Sequence, residues 1–141
     1  MEKQPNILII DAQGGGVGRL LVSAIRQELP DVSLTAVGGN SAATAAMLKA
    51  GADRGATGEN AVAVACRSAD VILGPVGIVI ADSMLGEITP KMAAAVAQSG
   101  AKRILIPFDH CDNIVVGVRE SGMKALVQEA VAVLVKLVNP S

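Results

Sequence analysis

The 141-residue sequence contains no tryptophan, no tyrosine and a single phenylalanine, Phe108. Proteins that hold single-stranded nucleic acid stack bases on exposed aromatic rings, so an RNA-recognition or single-strand-binding role is excluded. Positive charge is not in excess either. Twelve Lys and Arg stand against thirteen Asp and Glu, for a net charge of -1 and a pI near 5.8, whereas binding along a phosphate backbone needs clustered cations. No apolar run approaches the roughly 20 residues that cross a bilayer. Residues 7–10 are too few, and 71–81 are interrupted by Gly74, Pro75 and Gly77 and closed by Asp82. The polar residues 1–4 lead straight into that first short run, which leaves no secretory h-region. The expected partners therefore include neither nucleic acid nor membrane, and the expected location is cytoplasmic. Cys66 and Cys111 lack a Cys-x-x-Cys spacing and read as reduced thiols, Cys66 in apolar surroundings.

What the chain does have is apolar material, 51% against 18% charged, enough for a core and at this length for one domain over 1–141. A two-domain dehydrogenase does not fit. Residues 6–10 are an Ile-rich run of the kind buried on both faces of a parallel sheet. Val17, Leu20, Leu21, Ile25 and Leu29 recur at helical spacing and predict a helix over 17–29, stopped by Pro30. Residues 32–37 alternate as a strand. Ser41 is placed to cap a helix over 42–50 that Gly51 ends. Residues 52–60 read as loop and 61–68 as helix, although the Ala and Val alternation there also fits a strand. Residues 71–73 are a third strand, Thr89 and Pro90 open a helix to about 99, and 103–106 and 114–118 are further strands. A helix over 121–138 closes the chain. This order predicts an α/β three-layer sandwich, Rossmann-like, with a mainly parallel sheet of about five strands.

Ligands of open parallel sheets bind at the carboxyl ends of strands. Here those ends carry residues 11–19, 38–41, 74–77 and 107–113. The first is the most informative: Asp11, Ala12, Gln13, Gly14, Gly15, Gly16, Val17, Gly18 and Arg19 join a strand to a helix. Glycines allow the main chain to approach a ligand, and free N–H groups at a helix start attract phosphate or carboxylate. The expected binding residues are Asp11, Gln13, Gly14, Gly15, Gly16, Val17, Gly18 and Arg19, with Asn40 and Ser41 toward a ribose and Gly74, Pro75 and Gly77 on the opposite turn. The ligand class is a phosphorylated small molecule or nucleotide, NAD(P) among the candidates.

Stricter fingerprints are not met. G-x-G-x-x-G begun at Gly14 would need glycine where Arg19 stands, and the short-chain dehydrogenase pattern keeps only Gly16 and Gly18. No P-loop Gly-Lys-Ser or Gly-Lys-Thr occurs, no acidic residue follows the second strand to hold a ribose, and no G-x-S-x-G elbow is present. Three roles are open to Asp11: binding Mg²⁺, accepting from a ribose, or capping N–H groups of the glycine turn. Asp11 and His110 are the candidate catalytic groups, the latter for a pKa near neutrality on a loop after a strand. The sequence Asp109-His110-Cys111-Asp112 contains metal-ligand types, but neighbours on one loop rarely converge on a metal, and no metal site is expected. Arg54, Thr57, Glu59 and Asn60 read as a solvated loop.

The last helix is apolar on more than one stripe, which points either to a homodimer or to a helix packed centrally on the sheet. A resemblance also enters. Residues 10–18 (IDAQGGGVG), 45–53 (AAMLKAGAD), 55–60 (GATGEN) and 74–90 (GPVGIVIADSMLGEITP) resemble a bacterial family of about this length defined only as a domain of unknown function. The resemblance implies no activity, cofactor or catalytic residue. The first turn also looks Rossmann-like, which implies nucleotide binding by analogy. The expected function is a binding domain for a phosphorylated or nucleotide-type molecule. The alternatives are a minimal NAD(P)-dependent or phosphate-ester-processing enzyme, and a regulatory or scaffold subunit acting through its last helix.

Overall fold

The computed structural model describes residues 4–108, 112–119 and 121–140. Its elements run β1 (Asn6–Asp11), α1 (Gly16–Glu28), β2 (Ser33–Gly38), α2 (Ser41–Ala50), β3 (Arg54–Thr57), α3 (Glu59–Ser68), β4 (Val71–Pro75), a 3-10 turn (Val76–Val79), α4 (Pro90–Gln98), β5 (Lys102–Ile106) and α5 (Met123–Val138). The five strands are all parallel and lie in the order β3-β2-β1-β4-β5. The chain winds outward from β1 through β2 and β3, then crosses back to place β4 on the other side of β1. The strand order therefore reverses between β1 and β4, and connections leave these two strands in opposite directions. A crevice opens at their carboxyl ends.

Ile7 and Ile9 of β1 face one helical layer and Leu8 and Ile10 the other, all four almost wholly buried. On the first face they join Leu21 and Ile25 of α1, Met47 of α2 and Val131 and Leu134 of α5. On the second they join Val62 and Cys66 of α3 and Met92 and Val96 of α4. This is the three-layer α/β architecture expected from the alternation of apolar runs and amphipathic helices.

Some elements depart from expectation. Residues 52–60 are not all loop, since β3 pairs with β2 from Thr35 opposite Arg54 to Gly38 opposite Thr57. β3 is an exposed edge strand of sequence RGAT, so it has no apolar run to announce it. The strand expected over 114–118 does not form: Ile114 and Val116 are more than nine-tenths exposed, and Gly117 turns the chain at φ 89°. Its β-branched residues meet no neighbouring strand among the described residues. At α2 the cap is Asn40 rather than Ser41, with the Asn40 side chain accepting from Ala43 N–H at 2.9 Å. Thr89 caps α4 ahead of Pro90, as expected, accepting from Met92 N–H.

The last helix packs on the sheet and on α1. Val127, Ala130, Val131 and Leu134 are buried inside the chain, which leaves Val133 and Leu137 as its exposed large apolar side chains. No helix among the described residues is long and apolar enough to cross a membrane.

Candidate functional site

Between Asp11 at the end of β1 and Gly16 at the start of α1 the chain reverses within a few residues. Gln13 and Gly15 take left-handed backbone conformations, φ 53° and 72°, and the Gly15 N–H donates to the Ala12 carbonyl at 3.0 Å. Gly15 stands at the N-cap and offers no side chain to the exposed N–H groups of the first turn. Asp11 reaches forward to supply what the cap lacks. One carboxylate oxygen accepts from Gly18 N–H at 2.7 Å and the other from Ala12 N–H at 2.8 Å, with Val17 N–H also directed at the group. Of the roles open to Asp11, the turn cap is the one its hydrogen bonds fill. Burial pushes its pKa above the ordinary 3.8; the N–H groups oppose that rise and the charge of Glu87 adds to it.

The glycines of the turn have different reasons for being glycine. A Cβ on Gly18 would lie 2.9 Å from Asp11 Cβ and closer still to the Met47 sulfur, so Gly18 lets α1 pack against β1. Gly15 needs its left-handed φ. Gly14 and Gly16 have neither constraint: both lie outside the left-handed region, and a Cβ on either would meet nothing within 4 Å. Among the described residues, neither of their N–H groups donates to a protein acceptor.

The space over these two glycines is a cavity of about 310 Å³ lined by Asp11, Ala12, Gln13, Gly14, Gly16, Val17, Arg19, Leu20, Pro75, Met84, Phe108 and Met123. It lies at the carboxyl ends of β1 and β4, where the strand order switches. Arg19 is exposed in its wall and makes no ion pair among the described residues. Leu20, Met84, Phe108 and Met123 give the lining an apolar part.

Of the residues expected at the site, Asp11, Gln13, Gly14, Gly16, Val17, Arg19 and Pro75 line this cavity together. Gly15 and Gly18 shape the turn beneath it. Gly74 is packed against the Ile10 carbonyl, and Gly77 against Ser83 and Met84. Asn40 and Ser41 lie outside the cavity lining. Ser41 is exposed, while the Asn40 amide donates to the Gln13 carbonyl at 2.9 Å and to Glu87 Oε1 at 2.6 Å. His110 lies outside the described residues, as do Asp109 and Cys111. Sequence reasoning did not single out Met84, Phe108 and Met123 of this lining; Phe108 follows the end of β5 and Met123 opens α5, while Met84 lies in the irregular segment between the 3-10 turn and α4. It also missed Glu87, whose carboxylate accepts from Gln13 N–H at 3.0 Å.

A larger cavity of about 550 Å³ lies beside β5 and α5, lined by Ile104, Leu105, Val118, Arg119, Glu129 and their neighbours. It sits beside the edge strand β5 rather than at the strand switch between β1 and β4. Cys66 is buried, its pKa pushed up to about 11 by burial, and behaves as an apolar core residue rather than a nucleophile. No group of three His, Cys, Asp or Glu side chains among the described residues is arranged to hold a metal.

Similarity to known proteins adds the family. None of the curated proteins matches the chain. Among solved structures it is similar to a dodecameric FMN-dependent UbiX-like decarboxylase from Escherichia coli, at 15% identity over 93% of this chain and 92% of that one, with a TM-score of 0.45. It is also similar to an imine reductase variant from Myxococcus stipitatus in complex with NAD+, at 19% identity over 72% of this chain and 40% of that one, with a TM-score of 0.39. Likenesses this distant carry no argument about ligand or reaction. The match over residues 6–139 is of another order, and by it the chain belongs to the family described as Domain of unknown function (DUF3842).

Proposed function

We propose that the chain binds a phosphorylated small molecule or nucleotide, with the anionic group seated on the main chain at Gly14 and Gly16. The observation that carries this reading is that nothing in the fold requires glycine at either position. A Cβ there would meet no protein atom within 4 Å, and both glycines line the cavity. Two N–H groups without protein acceptors and the positive end of α1 favour an anion at that place, and the exposed Arg19 in the lining supplies a countercharge. The apolar wall of Leu20, Met84, Phe108 and Met123 suits the uncharged remainder of the ligand.

No reaction is assigned to the site. Both Asp11 oxygens are engaged in holding the turn, and a catalytic role for His110 rests on its sequence position alone. Self-association through α5 has a narrower basis than its composition implied, namely the exposed Val133 and Leu137.

Calorimetric titration of inorganic phosphate, AMP, ATP, GTP, NAD+ and NADP+, with and without Mg²⁺, tests the binding reading. At least one should bind, and Gly16→Val should remove the binding while the circular dichroism spectrum stays unchanged. Unaltered affinity in that variant sinks the reading. Binding that is independent of Mg²⁺ removes a cation bridge through Asp11.

A further inference from the structure

Glu87 stands 74 residues from Gln13 in the sequence, yet its carboxylate is laid across the β2 flank of the glycine turn. Both oxygens accept from Gln13 N–H, at 3.1 and 3.0 Å, and Oε1 also accepts from the Asn40 amide at 2.6 Å. The same Asn40 amide donates to the Gln13 carbonyl, so Gln13, Asn40 and Glu87 form a closed bridge from the glycine turn to the start of α2. A Cβ on Gly39 would come within 3.1 Å of Glu87 Oε1 and of Ala12 Cβ, so the carboxylate also lies directly over the end of β2. In a dinucleotide site on this strand order, the turn after β1 meets the pyrophosphate and the end of β2 meets the adenosine ribose. Here the second of these places is filled by the protein.

The segment that delivers Glu87 is costly to build, and it is held in place. Asp82, Met84 and Leu85 have left-handed backbones (φ 65°, 57° and 58°), followed by Gly86 at 87°. A left-handed backbone crowds the Cβ of a non-glycine residue against the following carbonyl, so the local chain does not choose this path by itself. Asp82 N–H donates to the Ile88 carbonyl and Glu87 N–H to the Met84 carbonyl, and the Ser83 hydroxyl donates to Gly77 O. One strained hook thus presents Glu87 to the β2 flank and Met84 to the cavity on the β4 flank.

We propose that Glu87, braced by Asn40, is a specificity-determining residue that restricts the site to ligands with a single phosphate group and one apolar or aromatic moiety, and turns dinucleotides away. This rests on the binding reading above. The remaining N–H donors, at Gly14 and Gly16, suffice for one phosphate. A second phosphate toward β2 would meet the Glu87 carboxylate and find the Gln13 N–H taken. The cavity volume, about 310 Å³, is at the lower end of the range for small-molecule sites, roughly 300–1,000 Å³. Met84, Phe108 and Met123 line it, and an aromatic base or ring system would lie against them.

The test is titration of the whole chain with AMP, UMP, flavin mononucleotide, ADP-ribose and NAD+, repeated on Glu87→Ala and Glu87→Gln with thermal melts to establish folding. The unaltered protein should bind at least one monophosphate about tenfold or more tighter than NAD+, a difference read directly as the ratio of Kd values. Glu87→Ala should narrow that gap by improving NAD+ and ADP-ribose, and Glu87→Gln, which keeps an acceptor but loses the charge, should narrow it less. If the unaltered protein binds NAD+ as tightly as every monophosphate, the selectivity proposal is overturned while the binding reading stands. An unmoved gap in a folded Glu87→Ala protein overturns it as well. If no phosphate compound binds the unaltered protein, both fall together.

Discussion

The two flanks of the glycine turn are built from the same helix start and oppose each other in every other respect. On the β2 side, Asn40 and Glu87 consume the Gln13 N–H and carbonyl, and Gly39 admits the carboxylate against the strand end. On the β4 side, Gly14 and Gly16 leave their N–H groups and the space above them open, walled by Pro75, Met84, Phe108 and Met123. A strand-to-helix turn rich in glycine is therefore not uniformly a cradle. Its capacity for anions depends on which N–H groups the protein's own carboxylates have already taken, and here Asp11 and Glu87 take those on either side of the open pair.

The largest effect comes from undermining the layer beneath both flanks. Leu134 is fully buried on α5 against the sheet, and Leu134→Glu places an unpaired charge there at a cost of several kcal/mol, comparable with the whole stability of a small domain. The expected outcome is loss of the cooperative melt at every protein concentration. A folded monomer obtained from an associated parent would instead locate an interface on this helix.

Removing the Asp11 carboxylate should come next. Asp11→Ala leaves the buried N–H groups of Ala12 and Gly18 without acceptors, at about 1–3 kcal/mol each, and chemical denaturation should register the loss as a lower midpoint. The pH dependence has a defined sign. Because burial raises the folded pKa above 3.8, the contribution of protonation at Asp11 is complete below pH 3.8 and declines as pH climbs through the raised folded value. Stability relative to Asp11→Asn should fall with rising pH across that window. A rise in the same window would show that the N–H groups outweigh burial.

Gly18 and Gly16 sharpen the comparison within a single turn. Gly18→Val drives a side chain into Asp11 and Met47 and should destabilise by about 1–3 kcal/mol, as overpacking does. Gly16→Val should stay within about 0.5 kcal/mol of the unaltered protein, since its Cβ meets no protein atom within 4 Å, while losing ligand binding. Equal melting temperatures for the two variants would contradict the distinction drawn between them.

The smallest effect lies far from the site. Asp53 accepts from Leu34 N–H, the main cause of its lowered pKa, and pairs with Arg26 at 2.6 Å. With its side chain half exposed, solvent screening limits the pair to below about 1 kcal/mol. Asp53→Asn should therefore lower the melting temperature by a few degrees at most. The contribution is present above pH 3.8 and lost as pH falls through the depressed folded value.

The architecture was legible wherever burial imposed a pattern on a continuous run. Residues 7–10 are apolar because both faces of β1 are covered, and Val17, Leu21 and Ile25 recur because one face of α1 meets the sheet. β3 was illegible because an edge strand paired on one side needs only backbone hydrogen bonds, and its RGAT sequence shows none of that burial. Residues 114–118 misled for the opposite reason: β-branched residues look like a strand, but a strand also needs a neighbour. At the site, the turn itself could be read from its glycines. The division of labour among them could not, since it depends on Met47, Asp11 and Glu87 arriving from elsewhere. Nor could the part Asn40 plays as brace, since it depends on partners distant in sequence, Gln13 and Glu87.

The most direct measurement is an amide chemical-shift titration of the isotopically labelled protein with a nucleoside monophosphate. The Gly14 and Gly16 amides should shift strongly and together. Those of Gln13 and Gly18, already bonded to Glu87 and Asp11, should move little. Shifts centred on Gln13 and Asn40, or confined to residues away from the turn, would contradict the assignment of the open flank as the binding site.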